Sequence, residues 1–227
     1  MSIGTQGNSK VYLRSFGRVR SRKLTARKED LINQLLPKLI INADQEIDPS
    51  NIFDSNKKKF ALEIGFGAGE HLANIAALHN DIGFIGCEPF VNGVASLLAH
   101  IDKMQLNNVR IFNNDARLLL DKLPPSCFDH IYILFPDPWP KARHHKKRLI
   151  THDMLDKIAR IAKKNAVLRI ATDHTNYAEW ITQHINQRSD FHTNITTKQP
   201  DEWVTTRYQT KAKKAGRLPV FFELIRI

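Results

Sequence analysis

Apolar and polar residues along this chain fall into blocks whose period switches repeatedly between that of a strand and that of a helix. Residues 59–64 form a short apolar run ending in Gly65, Gly67 and Gly69, and helical spacing follows over 70–78. The pattern then predicts a strand over 81–87, a helix over 91–105 with Val94, Leu97, Leu98 and Ile101 on one face, and a third strand over 109–113. A fourth strand is predicted over 129–135, a β-rich run bounded by Pro124 and Pro125 before it and by Pro136 after it. Leu155, Ile158 and Ile161 at helical spacing predict a helix over 151–164, and 166–171 reads as the fifth strand. Tyr177, Trp180, Ile181, His184 and Ile185 mark another amphipathic helix. Two further strands are expected over 203–208 and 218–227, joined by the basic segment 210–217. Ahead of all these lie a predicted helix over 28–41 and a loop over 42–56.

Strands alternating with helices predict an α/β fold with a mostly parallel, doubly wound sheet, because a crossover helix is the usual connection between parallel neighbours. Ligands of such sheets bind beyond the carboxyl ends of the strands. With 227 residues, 42% of them hydrophobic, the chain suffices for one well-buried core and is short for two full domains. The expected division is a basic N-terminal arm over 1–28 and one domain over 29–227. The arm holds eight Lys or Arg and no acid, and Gly4, Gly7 and Gly17 discourage a continuous helix. An acid-free basic start also resembles a transit peptide, but the apolar face that such a helix needs is absent.

Charge narrows the partners. Thirty-four Lys and Arg against 23 Asp and Glu leave a net charge of +11, which favours polyanions, nucleic acid or a membrane surface. No apolar run approaches the roughly 18 to 20 residues of a membrane span, so a soluble, intracellular, cytoplasmic protein is expected. Cys87 and Cys127 are the only cysteines, too few for a disulfide framework or a zinc cluster, and buried reduced thiols are expected for both.

Candidate chemistry gathers at the predicted strand ends. Glu63-Ile64-Gly65-Phe66-Gly67-Ala68-Gly69 has glycines spaced G-x-G-x-G, where small residues let the backbone approach a ligand closely. The dinucleotide fingerprint is G-x-G-x-x-G, and position 70 is Glu. Acids at 63 and 70 repel a pyrophosphate and suit a cation, so S-adenosylmethionine, with its sulfonium and ammonium, is favoured over NAD. A tight glycine turn without a ligand also accounts for this motif alone. Glu88 ends the second strand, where an acid accepts hydrogen bonds from ribose hydroxyls. Asp115 follows the third strand, where it can meet an adenine amino group.

The fourth strand runs into Phe135-Pro136-Asp137-Pro138-Trp139-Pro140, whose prolines stiffen the chain and hold Asp137 and Trp139 over the sheet edge. A rigid turn with a core tryptophan is the plainer reading. Lys141, Arg143, His144, His145, Lys146, Lys147 and Arg148 then form a basic patch expected to meet phosphates. The adjacent histidines diverge and lack a carboxylate or Cys at ligand spacing, so no metal site is expected. Asp173, after the fifth strand, either caps the next helix or faces a substrate, and local spacing does not separate the two.

Residues 63–70, Cys87-Glu88-Pro89, the Pro136-Asp137-Pro138-Trp139-Pro140-Lys141 segment with its basic run, and Ala171-Thr172-Asp173 together resemble the bacterial tRNA (guanine-N7)-methyltransferases over nearly the whole chain. The arm segment Arg14-Ser15-Phe16-Gly17-Arg18 is similar as well. The resemblance implies a Rossmann-like, seven-stranded class I methyltransferase sheet with an antiparallel last strand, and methyl transfer to guanine N7 in tRNA, at guanine 46 of the variable loop. It implies cofactor contacts from Glu63, Gly65, Gly67, Gly69, Glu88, Asp115 and Asp137, with Asp137 also catalytic. Lys141, Asp173, Thr206, Arg207, Tyr208 and Gln209 are implied as substrate contacts. The family usually carries Thr-x-Phe-Glu or Thr-x-Tyr-Glu at the last site, and this chain has Gln209 in place of the Glu. Methylation of another RNA, and a non-catalytic RNA-binding protein on the same fold, are the alternative readings; an NAD dehydrogenase is the weakest.

Overall fold

The computed structural model of the chain describes residues 23–200, 203, 209, 210 and 216–227. In chain order the elements are α1 (Ala26–Gln34), α2 (Leu36–Leu39), α3 (Pro49–Ile52), β1 (Lys59–Ile64), α4 (Glu70–Leu78), β2 (Ile82–Cys87), α5 (Val91–Met104), β3 (Val109–Phe112), α6 (Ala116–Leu120) and β4 (Phe128–Leu134). A 3₁₀ turn, Ala142–Lys147, precedes α7 (His152–Ile161), β5 (Ala162–Thr172), α8 (Thr175–Asn186), β6 (Phe191–Thr196) and β7 (Val220–Arg226).

One seven-stranded sheet has the order β3-β2-β1-β4-β5-β7-β6. Its pairs β1–β2, β1–β4, β2–β3 and β4–β5 are parallel, and β7 runs antiparallel to both β5 and β6. The doubly wound sheet with an antiparallel last strand is therefore present. Helices cover both faces, so the central strands are apolar nearly throughout: every residue of β2 is buried, and five of the six in β1. Two hydrophobic cores result, one around Leu62, Ile131, Leu155 and Tyr177, the other around Leu72, Phe84, Leu97 and Phe221. Strand order reverses between β1 and β4, and a crevice opens at their carboxyl ends.

Several boundaries differ from the sequence expectation. The helix expected over 28–41 is split at Leu35, because Pro37 cannot continue a helix it would interrupt and instead starts α2. Residues 162–164 belong to β5, so α7 stops at Ile161. The sixth strand is Phe191–Thr196; the strand expected over 203–208 lies outside the described residues apart from Trp203, which is not in a strand. An edge strand needs little apolar patterning, and only Phe191 of β6 is buried while Ile195 is 42% exposed. Ala26, Arg27 and Lys28, assigned to the arm, form the first turn of α1, where Lys28 Nζ donates to Ser96 Oγ at 2.7 Å. Among the described residues no helix is long and apolar enough to cross a membrane.

Candidate active site

The glycine turn lies directly beyond β1. Gly65, Gly67 and Gly69 all have left-handed backbone, with φ of +75°, +58° and +81°, which side chains with a Cβ rarely adopt. A Cβ on Gly65 would meet nothing within 4 Å, so the turn is open above this residue. On its other side the turn is closed by α5. A Cβ on Gly93 would lie 2.2 Å from the Gly67 carbonyl oxygen and 3.3 Å from Glu88 Cγ. Gly93 thus lets the first turn of α5 rest on the turn backbone. It was missed in the sequence; its only signal was a glycine inside a predicted helix.

Four strand-end acids take different places. Glu63 is 2% exposed and does not face the crevice: its Oε2 lies 2.7 Å from His71 Nδ1, beneath the turn, and the His71 ring sits edge-on to Tyr132. Glu88 faces the crevice, with Oε2 accepting from the Gly67 amide at 2.9 Å and Oε1 from the Phe90 amide at 3.0 Å. Burial pushes the Glu88 carboxyl above the ordinary value, against those two amides, and the charges of Asp137 and Glu63 add to the rise. Asp115 caps α6 and is gripped by Arg117, whose backbone amide and Nε reach Oδ1 and whose terminal nitrogen reaches Oδ2 at 2.6 Å. Burial alone would raise this carboxyl, but the Arg117 hydrogen bonds and charge outweigh it and hold Asp115 below the usual range. Asp137 stands exposed on the rim, with no hydrogen bond or ion pair among the described residues.

Glu88, Asp115 and Asp137, together with Gly65 and Gly67, line one crevice of about 850 Å³. Such a volume suits a nucleoside-sized ligand. Three carboxylates in its lining, one of them paired with Arg117, favour a cation and disfavour a pyrophosphate. The open space above Gly65 and the spare lone pairs of Glu88 suit hydroxyl donors of a ribose. Lys146 and Lys147 also line the crevice, so an anionic substrate and a cationic cofactor can share the opening.

The loop carrying Asp137 is strained. Phe135 and Trp139 have φ of +52° and +42°, and each precedes a proline, a combination that persists only where the surroundings over-determine it. The Phe135 amide donates to the Ala171 carbonyl at 2.8 Å, and Lys147 Nζ lies 4.6 Å from the Trp139 ring centre. His144 and His145 diverge as expected, the first ring against Trp139 and the second against Trp180. Among the described residues no group of three or more His, Cys, Asp or Glu could hold a metal ion.

Of the remaining sequence candidates, those among the described residues do not line this crevice. Gly69 caps α4 and packs against Leu97. Lys141 is exposed at the start of the 3₁₀ turn. Asp173 does not cap α8, whose N-cap is His174; its Oδ2 accepts from Arg217 Nε at 2.7 Å, beside a separate groove that includes Thr175, Glu179 and Leu218. Thr206, Arg207 and Tyr208 lie outside the described residues. Gln209 is only 1% exposed: Oε1 accepts from Trp203 Nε1 and Nε2 donates to Gln199 Oε1, both at 2.8 Å. Trp203 in turn packs against Phe221 and His71, linking this segment to the Glu63 pair. In the basic run, Arg148 departs from the expectation of a phosphate contact, since it is buried.

A family model described as a putative methyltransferase matches residues 57–221. Over 219 residues the chain is 41% identical to a protein of Zymomonas mobilis named tRNA (guanine-N(7)-)-methyltransferase, covering 94% of each chain. It is 43% identical over 218 residues to a protein of the same name from Caulobacter vibrioides, covering 94% of this chain and 95% of that one. Among solved structures, the 16S rRNA methyltransferase KamB shares the fold, with a TM-score of 0.57 at 16% identity over 76% of this chain and 89% of that one.

Proposed function

Because the chain belongs to the tRNA (guanine-N7)-methyltransferase family, we propose that it transfers a methyl group from S-adenosylmethionine to N7 of a guanine in tRNA, guanine 46 of the variable loop. The observation that carries this reading is the convergence of Glu88, Asp115 and Asp137 on one crevice at the switch point of the sheet.

S-adenosylmethionine supplies an electrophilic methyl group. Glu88 would hold the ribose hydroxyls, Asp115 the adenine amino group, and Gly65 and Gly67 would let the backbone close on the ligand. Glu63 would act from beneath, fixing the turn through His71. Guanine N7 carries an in-plane lone pair, so the acceptor needs no general base and catalysis is chiefly alignment, worth on the order of 7 to 11 kcal/mol in well-aligned cases. Positive charge develops on the purine, and Asp137, exposed and unpaired among the described residues, is suited to stabilise it. Lys141, Asp173, Thr206, Arg207 and Tyr208 would contact the RNA. For Gln209, the engaged amide supports holding the 199–209 segment in place rather than reading the base directly.

The basic arm over 1–28 and the exposed cations Lys141, Arg143 and Lys146 would bind tRNA phosphates. A tRNA substrate and the net charge of +11 fit action in the cytoplasm. The test is incubation with unmodified tRNA transcripts and methyl-labelled S-adenosylmethionine, followed by digestion and identification of the labelled nucleoside. Label in 7-methylguanosine is expected, and its loss from a transcript in which guanine 46 is replaced by adenine. Label in another nucleoside would overturn the acceptor, and absence of label despite cofactor binding would overturn tRNA as substrate.

A further inference from the structure

Arg148 ends a basic run in which Lys141, Arg143 and Lys146 are exposed, yet it is itself only 3% exposed. Its side chain crosses from α8 to the Asp137 loop: one terminal nitrogen donates to Asn176 Oδ1 at 2.5 Å and Nε donates to the Pro138 carbonyl at 3.0 Å. The guanidinium carbon lies 5.0 Å from the ring centres of both Tyr177 and Trp180. No carboxylate pairs with it among the described residues, and burial holds its pKa below the ordinary arginine value. A charge withdrawn from water and matched only by dipoles and ring faces is poorly placed for phosphate binding.

Its anchor is firm. Trp180 Nε1 donates to the Ile150 carbonyl at 2.7 Å and the Ile150 amide donates to the Tyr177 hydroxyl at 3.2 Å, so the chain just after Arg148 is tied to α8 twice. Its load is the strained loop. That loop is fixed at Phe135 by the Ala171 carbonyl and at Pro138 by Arg148, and Asp137 lies between these two points without a side-chain bond of its own among the described residues. Asp137 is therefore aimed through the backbone.

We propose that Arg148 is a positioning residue, which acts through the Pro138 carbonyl to hold the Asp137 carboxylate at the crevice and does not bind tRNA phosphate. The inference rests on the methyl-transfer reading of the crevice. Lysine keeps the charge but not the planar fork that serves Pro138 and Asn176 together, so Arg148→Lys separates the two roles.

The experiment compares full-length wild type with Arg148→Lys in four readouts: kcat, KM for tRNA, the salt dependence of tRNA binding, and amide exchange of the 135–140 loop in the free protein. Misplacement by about 1 Å lowers turnover about 10²-fold. The expected result is a loss of that order in kcat, with KM and the salt slope unchanged and loop exchange accelerated. A wild-type kcat, or a salt slope reduced by about one with kcat retained, would overturn the proposal. Should Arg148→Lys fail to fold, Asn176→Ala removes one of the two acceptors from the exposed start of α8: a several-fold loss of kcat supports the proposal, and an unchanged kcat overturns it. Loop exchange needs neither RNA nor cofactor, so it decides the role of Arg148 even if wild type proves inactive on tRNA, a result that would count only against the proposed function.

Discussion

Gly93→Ala tests whether the contact between α5 and the glycine turn sets the cofactor crevice. Alanine is the better helix former and on its own would favour α5 by about 0.5 to 1 kcal/mol. The added Cβ, however, falls 2.2 Å from the Gly67 carbonyl oxygen, and that neighbour is backbone, with no flexible end to swing away. Reaching ordinary contact requires a retreat of about 1 Å. Overpacking of this kind costs about 1 to 3 kcal/mol, and a backbone neighbour puts this case in the upper half of that range, so the net loss is about 1 to 2.5 kcal/mol and the Tm falls by about 2 to 10 °C. The retreat moves Gly67 and Glu88, which hydrogen-bond to each other at 2.9 Å and line the crevice together. Affinity for S-adenosylmethionine, measured by calorimetry, should fall, and kcat/KM for methyl transfer should drop about 10²-fold. A variant that melts at or above the wild-type temperature and binds cofactor normally would refute the reasoning.

Asp137→Ala is expected to lower kcat by about 10² to 10³-fold while tRNA affinity stays within about twofold, and near-normal turnover would remove Asp137 from the mechanism. Binding of tRNA should weaken steeply with salt, and Lys141→Ala should reduce the slope of log affinity against log salt by about one; salt-independent binding would rule out phosphate contacts as the source of affinity. Gln209→Ala leaves Trp203 Nε1 and Gln199 Oε1 without their partner, so urea unfolding should show a loss of about 2 to 4 kcal/mol, whereas a loss near zero would mean that the segment finds other partners. His130 is held below the ordinary value of 6.5 by burial first and then by the charge of Arg169. The unfolded chain therefore takes up a proton that the fold refuses, and stability is lost as pH falls below about 6.5. His130→Gln should flatten the urea midpoint from about pH 7.5 to about pH 5, and parallel curves for the two proteins would exclude that linkage.

Much of the fold was legible in the chain. The central strands β1 and β2 are parallel and covered on both faces, so each appears as a short apolar run; Glu63 stands near the end of the first, and the glycine turn and Glu88 come directly after them, with Asp115 and Asp137 just beyond β3 and β4. Strand β6 was not legible because an edge strand with one buried residue has no period to detect. Within the site, nothing local distinguishes Arg148 from Lys147 or Lys146, and nothing in the Gln209 segment announces a buried amide.

The sequence by itself determined the alternation of strand and helix, the positive-φ turn that only glycine accepts readily, and the sign of the charge at the strand ends. These depend on spacing and backbone sterics within a few residues. Only the tertiary structure decided that Glu63 turns under the sheet edge to His71 while Glu88 faces the crevice, that Gly93 meets Gly67, and that Arg148 is withdrawn from the basic surface to brace the Asp137 loop. Each of these pairings joins elements brought together by parallel crossovers and by the packing of α5 and α8, and such contacts leave no period in the chain to be read.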